Sequence, residues 1–272
     1  MRRRIVGACV GGLLAGIATM GAPAAMAAPT GPVHPGVQTF TDGGQCTANF
    51  IFRDRTNTYV GQAAHCSGTG AATDTNGCTA ASLPLGTPVT VTGASKPGTL
   101  VYNSWLTMQE GHERDVDACA FNDLALVRLD PADVGKVDPS VPGFGGPTGV
   151  GEAAPAATIF SYGNSELRQG IAQLSPKQGL VVQLAGNGWS RDVYTLTPGI
   201  PGDSGSGFMN AAGQAIGVLS TVALAPLVLS NGIGDLSREL TYMRAHSAFT
   251  GVQLVNGTKP FKSSLLSAVL GG

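Results

Sequence analysis

Glycine and proline cut this chain into short pieces: 40 Gly and 17 Pro stand among 272 residues. Between those cuts lie β-type runs at 46–52, 58–64, 88–92, 99–106 and 124–129, and again at 156–162, 180–184, 192–197 and 214–222. Collagen is excluded because the glycines follow no period of three. Only 235–246 reads as a helix, with Leu236, Leu240 and Met243 at helical spacing and Asp235 or Ser237 as N-cap. The Pro-, Asp- and Gly-rich stretch 131–151 reads as a linker. Strands on both sides of it, and a helix at the end, predict an all-β chain of two barrels or sandwiches. The expected units are 37–130, 152–250 (with the helix) and a tail at 251–272.

The chain opens Met1-Arg2-Arg3-Arg4, turns apolar from Ile5 to Ala22, and reaches the small-x-small triplet Ala25-Met26-Ala27. That order of basic, apolar and small residues predicts a secretory signal peptide over 1–27. A membrane anchor fits less well, because the apolar stretch is mostly Gly and Ala. Val6-Gly7-Ala8-Cys9 resembles a lipoprotein box but lies too close to the arginines. Residues 28–36 then form a leader expected to be flexible. Export leaves Cys46, Cys66, Cys78 and Cys119, an even set that suits two disulfides in an oxidising compartment with three possible pairings. No Cys-x-x-Cys or histidine pair at ligand spacing supports a metal site, and no cofactor is expected.

Charged residues are 12% of the chain, against roughly 25% in an ordinary domain, and the net charge is −1. No basic stripe exists to follow phosphates, so nucleic acid is not an expected partner. Hydrophobic residues at 43% suffice for a sizeable core.

Three local motifs carry the chemistry. Ala63-Ala64-His65-Cys66 follows a β-type run. Phe121-Asn122-Asp123-Leu124-Ala125-Leu126-Val127 opens an apolar run with one acid. Pro201-Gly202-Asp203-Ser204-Gly205-Ser206-Gly207 presents a serine on a Gly-rich turn. A serine hydroxyl is a poor nucleophile until a base takes its proton, and a histidine titrating near neutrality suits that task. A buried carboxylate would fix the imidazole tautomer. Glycines beside the serine let the N–H groups of Gly202 and Ser204 face a developing oxyanion. Asp115 and Asp117 lie in a charged stretch facing water and are weaker candidates for the acid. His34, His112 and His246 read as solvated.

In the order His65, Asp123, Ser204 these motifs resemble the chymotrypsin-like serine peptidases, most of all their secreted bacterial branch. The resemblance spans about 37–247. It implies two antiparallel six-stranded β-barrels with the site between them, and a Ser-His-Asp triad cleaving peptide bonds through an acyl-enzyme. It implies a first disulfide Cys46–Cys66 around the His65 strand, which leaves Cys78–Cys119, a pair without counterpart in the animal enzymes. Ser220 resembles the serine that hydrogen-bonds the catalytic acid. Asp203 is expected to be structural, paired with an internal arginine: Arg168, or failing that Arg191. The residue six before the nucleophile, Pro198, falls at the base of the primary pocket. Val222 falls where many relatives have glycine and would narrow the entrance. Together they imply a preference for small or medium apolar residues before the scissile bond. Ser206 in place of a glycine, the lack of a cysteine near Ser204 and the lack of an Ile-Val-Gly-Gly start depart from the family pattern.

The expected partner is a protein or peptide substrate, the expected state a monomer without a lasting membrane anchor, and the expected location extracellular. Two other classes compete. An intact triad could sit on a non-catalytic binding protein. A secreted esterase of the α/β-hydrolase type would need Gly-x-Ser-x-Gly and the order Ser, Asp, His. Ser206 occupies that motif's last glycine, and too little chain follows Ser204 for the remaining βα units.

Overall fold

A computed structural model describes residues 31–71, 73–222 and 229–270; the expected signal peptide at 1–27 lies outside the described residues. The chain is built mostly of strands, in two sheets. The N-terminal half contributes β1 (Gln38–Thr41), β2 (Gly44–Thr47), β3 (Ile51–Arg53), β4 (Thr58–Ala63), β5 (Pro88–Val91) and β6 (Gly98–Asn103). Helices α1 (Ser104–Glu110) and α2 (Val116–Phe121) follow, then β7 (Leu124–Arg128). The C-terminal half contributes β8 (Thr158–Tyr162), β9 (Pro176–Ala185), β10 (Ser190–Leu196), β11 (Gly207–Asn210), β12 (Ala215–Val222) and β13 (Asn231–Asp235). Then come α3 (Leu236–His246), β14 (Gln253–Leu254) and α4 (Leu265–Leu270).

The C-terminal sheet closes as a six-stranded barrel in the order β10-β13-β12-β11-β8-β9. Ile159, Val193, Phe208, Ile216 and Ile233 form a buried cluster from its strands, as alternation in a half-buried strand requires. The N-terminal sheet has eight strands rather than six, in the order β14-β3-β4-β7-β6-β5-β1-β2. Two local causes account for the difference. The run 46–52 breaks between β2 and β3, where Asn49 Oδ1 accepts the N–H of Phe50 instead of leaving it to a ladder. The tail also adds β14 to the edge of β3 through Gln253 and Leu254.

Other expectations shift for equally local reasons. The run 99–106 stops at Asn103, whose side chain accepts the N–H groups of Trp105 and Leu106 and so caps α1. Trp105 and Met108 then fall on one helical face and are buried. Residues 31–36 are held against the fold, not loose: Val33 is fully buried and bridges to Val137. The stretch 131–151 is also packed. Asp133 is buried under bonds from Ser95 and Lys96, and Val141 and Phe144 join the core.

The core that matters for the site draws on both sheets. Phe50, Tyr102, Leu124, Phe160, Met209 and Val218 cluster with Leu236, Leu240 and Met243 of α3. The three helix residues expected from their spacing are buried, together with Glu239 and Tyr242, and Asp235 caps the helix by accepting the N–H of Arg238 at 2.8 Å. The described cysteines form Cys46–Cys66 and Cys78–Cys119, closing separations of 20 and 41 residues. Each contributes about 3–4 kcal/mol through chain entropy.

Candidate active site

His65 follows β4 directly. Ala63 is extended and the chain then tightens into a short 3-10 turn at Ala64–Ser67. The Ala64 N–H bonds the carbonyl of Asp123 at 2.8 Å, which ties that turn to the start of β7. Asp123 is buried and accepts three hydrogen bonds. The His65 N–H reaches its Oδ1 at 2.9 Å, His65 Nδ1 lies 2.7 Å from its Oδ2, and Ser220 Oγ donates to Oδ2 at 2.5 Å. An ionised carboxylate only accepts, so the ring proton sits on Nδ1 and leaves Nε2 as the basic nitrogen. Burial presses the His65 pKa down, but the charge and hydrogen bond of Asp123 outweigh it and hold the pKa above the ordinary imidazole value.

Ser204 lies half-buried on the turn between β10 and β11. Four main-chain bonds around it fix the turn: Asp203 N–H to Ile200 O, Gly205 N–H to Leu219 O, Ser206 N–H to Asp203 O, and Thr47 N–H to Ser204 O. The last joins the turn to the opposite sheet. Gly205 is required there, because its φ is +86° and a Cβ would come within 2.7 Å of the Thr47 carbonyl. Gly202 also has a positive φ, +92°. Ser165 Oγ donates to the Pro201 carbonyl at 2.5 Å. In a trans peptide the next N–H points the opposite way, so the Gly202 N–H is turned from Ser165. Gln45 and Thr47 donate to the Gly202 carbonyl at 3.0 and 2.8 Å and clamp the following peptide.

A cleft of about 700 Å³ is lined by His65, Ser204, Gly202 and Ser220, together with the Cys46–Cys66 bridge and residues of both sheets. The two sulfurs beside His65 are bonded to each other and offer no thiolate to a metal.

The Asp203 side chain is wholly buried. It is paired with Arg168, as expected, and also with Lys177 at 2.9 Å. Ser165 N–H and Ile200 N–H complete its shell at 3.0 and 3.2 Å. Burial depresses the Lys177 pKa to about 8, against the opposing pull of Asp203. Nothing in the sequence around Lys177 marks it, since it opens an ordinary strand. Arg191, the other candidate, pairs with Asp235 at 2.6 Å. Asp115 caps α2, and Asp117 accepts from Asn187 at 2.5 Å.

Pro198, expected at the pocket base, is not among the residues lining the cleft. Among the described residues Ile200, Pro201 and Thr221 line it. The Pro198 carbonyl accepts from Arg168 Nη2 at 3.1 Å, while Gly199 and Asn231 exchange hydrogen bonds at 2.8 and 3.3 Å. Those bonds fix the segment just before Ile200 and Pro201. Val222 ends β12 opposite Asn231, and its side chain lies outside the described residues.

No family model matches the chain, and no curated protein matches it. Solved structures do. Protease A of Thermobifida fusca superposes with a TM-score of 0.54 at 20% identity, covering 83% of this chain and 99% of its own. The serine endoprotease from Yersinia pestis gives 0.50 at 12% identity, covering 81% and 65%. The chymotrypsin of Cellulomonas bogoriensis gives 0.49 at 17%, covering 82% and 98%. At such identities the likeness is one of architecture, and the chain has the two-sheet fold of the chymotrypsin-like serine proteases.

Proposed function

We propose that this chain is a secreted serine endopeptidase that hydrolyses peptide bonds by acyl transfer. The observation that carries the reading is the carboxylate of Asp123, bonded at once to His65 Nδ1 and Ser220 Oγ, on a cleft shared by His65 and Ser204. Ser204 Oγ attacks the scissile carbonyl carbon while His65 Nε2 takes its proton. The carbonyl oxygen becomes an oxyanion that the Gly202 and Ser204 N–H groups stabilise. His65 then hands the proton to the leaving amine as the C–N bond breaks, and water repeats the sequence on the acyl-enzyme. Two formed disulfides suit an oxidising compartment, which agrees with export. A fluorophosphonate probe should form one covalent adduct, mapped by mass spectrometry to Ser204. Absence of an adduct on folded protein removes the catalytic reading and leaves a binding protein on a peptidase fold.

The preference for small or medium apolar residues before the scissile bond now rests on Ile200 and Leu219 in the cleft, without Pro198. Branched carbons exclude large rings by overlap, and each methylene changes discrimination by about 1–3 kcal/mol. Comparing kcat/KM for Ala, Val, Phe, Lys and Glu substrates should rank Ala or Val first. A clear preference for Lys or Glu would refute it.

A further inference from the structure

Glu239 is a buried acidic side chain near the site that the proposed mechanism leaves unused. It lies on α3, fully buried, and its Oε1 accepts the N–H of Asp123 at 3.0 Å. Its Oε2 is buried with no hydrogen-bond partner among the described residues. Gly234 makes the approach possible, since a Cβ there would lie 2.5 Å from Oε1. The charged groups acting on it are Asp123, at the start of β7, and Asp235, at the end of β13; both are acidic, and Asp235 is already paired with Arg191. From β6 it faces the phenol of Tyr102.

We infer that Glu239 is a positioning residue: its uncharged carboxyl holds the Asp123 main chain, and thereby the Asp123 carboxylate, against His65. This rests on the proposed triad. A buried carboxylate with no cation beside it is strongly disfavoured, so the group stays protonated instead. Burial raises its pKa well above the carboxylate range; the Asp123 N–H opposes this, and the charges of Asp123 and Asp235 add to it. Ionisation would set a further negative charge beside the carboxylate that orients His65.

The sign of the pH dependence follows. The unfolded chain loses this proton near the ordinary glutamate value, about 4.3, while the folded chain keeps it. Above that value the unfolded state binds fewer protons, so wild-type stability falls with rising pH until the folded pKa is passed. A glutamine has no proton to lose. Glu239→Gln should therefore raise the thermal midpoint relative to wild type, by a margin that grows from about pH 4.3 upward.

Glu239→Leu removes the acceptor and should lower kcat by about 10²-fold through misplacement of Asp123. KM should stay nearly constant, and the downfield Nδ1 proton resonance of His65 should move. Glu239→Gln, which keeps an acceptor oxygen, should restore most of kcat and the resonance. Wild-type kcat and resonance in Glu239→Leu would overturn the inference. If that variant does not fold, Glu239→Gln decides. A loss of kcat as large as that expected for leucine, or a midpoint difference flat with pH, overturns the inference. Failure of the triad reading itself shows separately, as absence of fluorophosphonate labelling in wild type, and the pH-dependent midpoint still reports the Glu239 proton.

Discussion

If Ser204 is the nucleophile as proposed, Ser204→Ala should lower kcat on a chromogenic peptide by about 10⁶-fold, the scale of loss when a triad nucleophile is removed. The size follows from how the site divides its work. In the proposed mechanism the hydroxyl supplies the atom that bonds the carbonyl carbon, and without it neither His65 nor Asp123 would have a proton transfer to assist. What should survive is substrate binding and the oxyanion stabilisation proposed for the Gly202 and Ser204 main chain, worth about 10³–10⁴ over water. The turn itself should persist. Its main-chain bonds run through Asp203, Gly205, Ser206 and the Ser204 carbonyl, none of which needs the hydroxyl. Unfolding midpoint and KM should therefore stay near wild type while kcat collapses. Casein cleavage by Ser204→Ala at the wild-type rate, with contaminating protease excluded by titration, would remove Ser204 from the mechanism.

What the sequence made legible is what short motifs encode. Ala63-Ala64-His65-Cys66 and Asn122-Asp123 announce themselves within a few residues, and the structure brings His65, Asp123 and Ser220 into hydrogen-bond contact. The amphipathic spacing of Leu236, Leu240 and Met243 is equally local, and it gave α3. Long-range partners left no such trace. Glu239 stands 116 residues from the amide it binds, and Lys177 reaches Asp203 from the start of β9. Pro198 was placed by counting back from Ser204. Pro198 itself is not among the residues lining the cleft, and its carbonyl is bonded by Arg168 while Gly199 is bonded by Asn231. The helix at Ser104–Glu110 was hidden for another reason: Trp105 and Leu106 continue the apolar look of a strand, and one Asn103 side chain turns the chain into a helix.

Asp203→Asn should destabilise the fold by about 3–5 kcal/mol, the scale of breaking a buried ion pair from one side. The carboxylate faces two buried cations, Arg168 and Lys177, and removing its charge leaves both without compensation. They respond differently. The Arg168 guanidinium cannot shed its proton in a protein, and it retains only the Pro198 carbonyl. Lys177 can. Its pKa is already depressed to about 8 by burial, and losing the opposing charge of Asp203 depresses it further. In the variant the folded state then releases the Lys177 proton at a lower pH than wild type does, while the unfolded chain keeps it. The unfolded state of the variant binds more protons across that interval, so its stability rises with pH there and the wild type's does not. The deficit measured by urea unfolding should accordingly be larger at mildly acid pH than at about pH 8, and change little above it. Activity should fall as well, because Asp203 also holds the N–H groups of Ser165 and Ile200. Ser165 is the residue that fixes the Pro201 carbonyl and with it the direction of the Gly202 N–H. A deficit below about 1 kcal/mol at every pH, less than an ordinary core substitution, would mean that the Thr197 and Pro198 carbonyls alone hold the two cations and that Asp203 does not brace the turn.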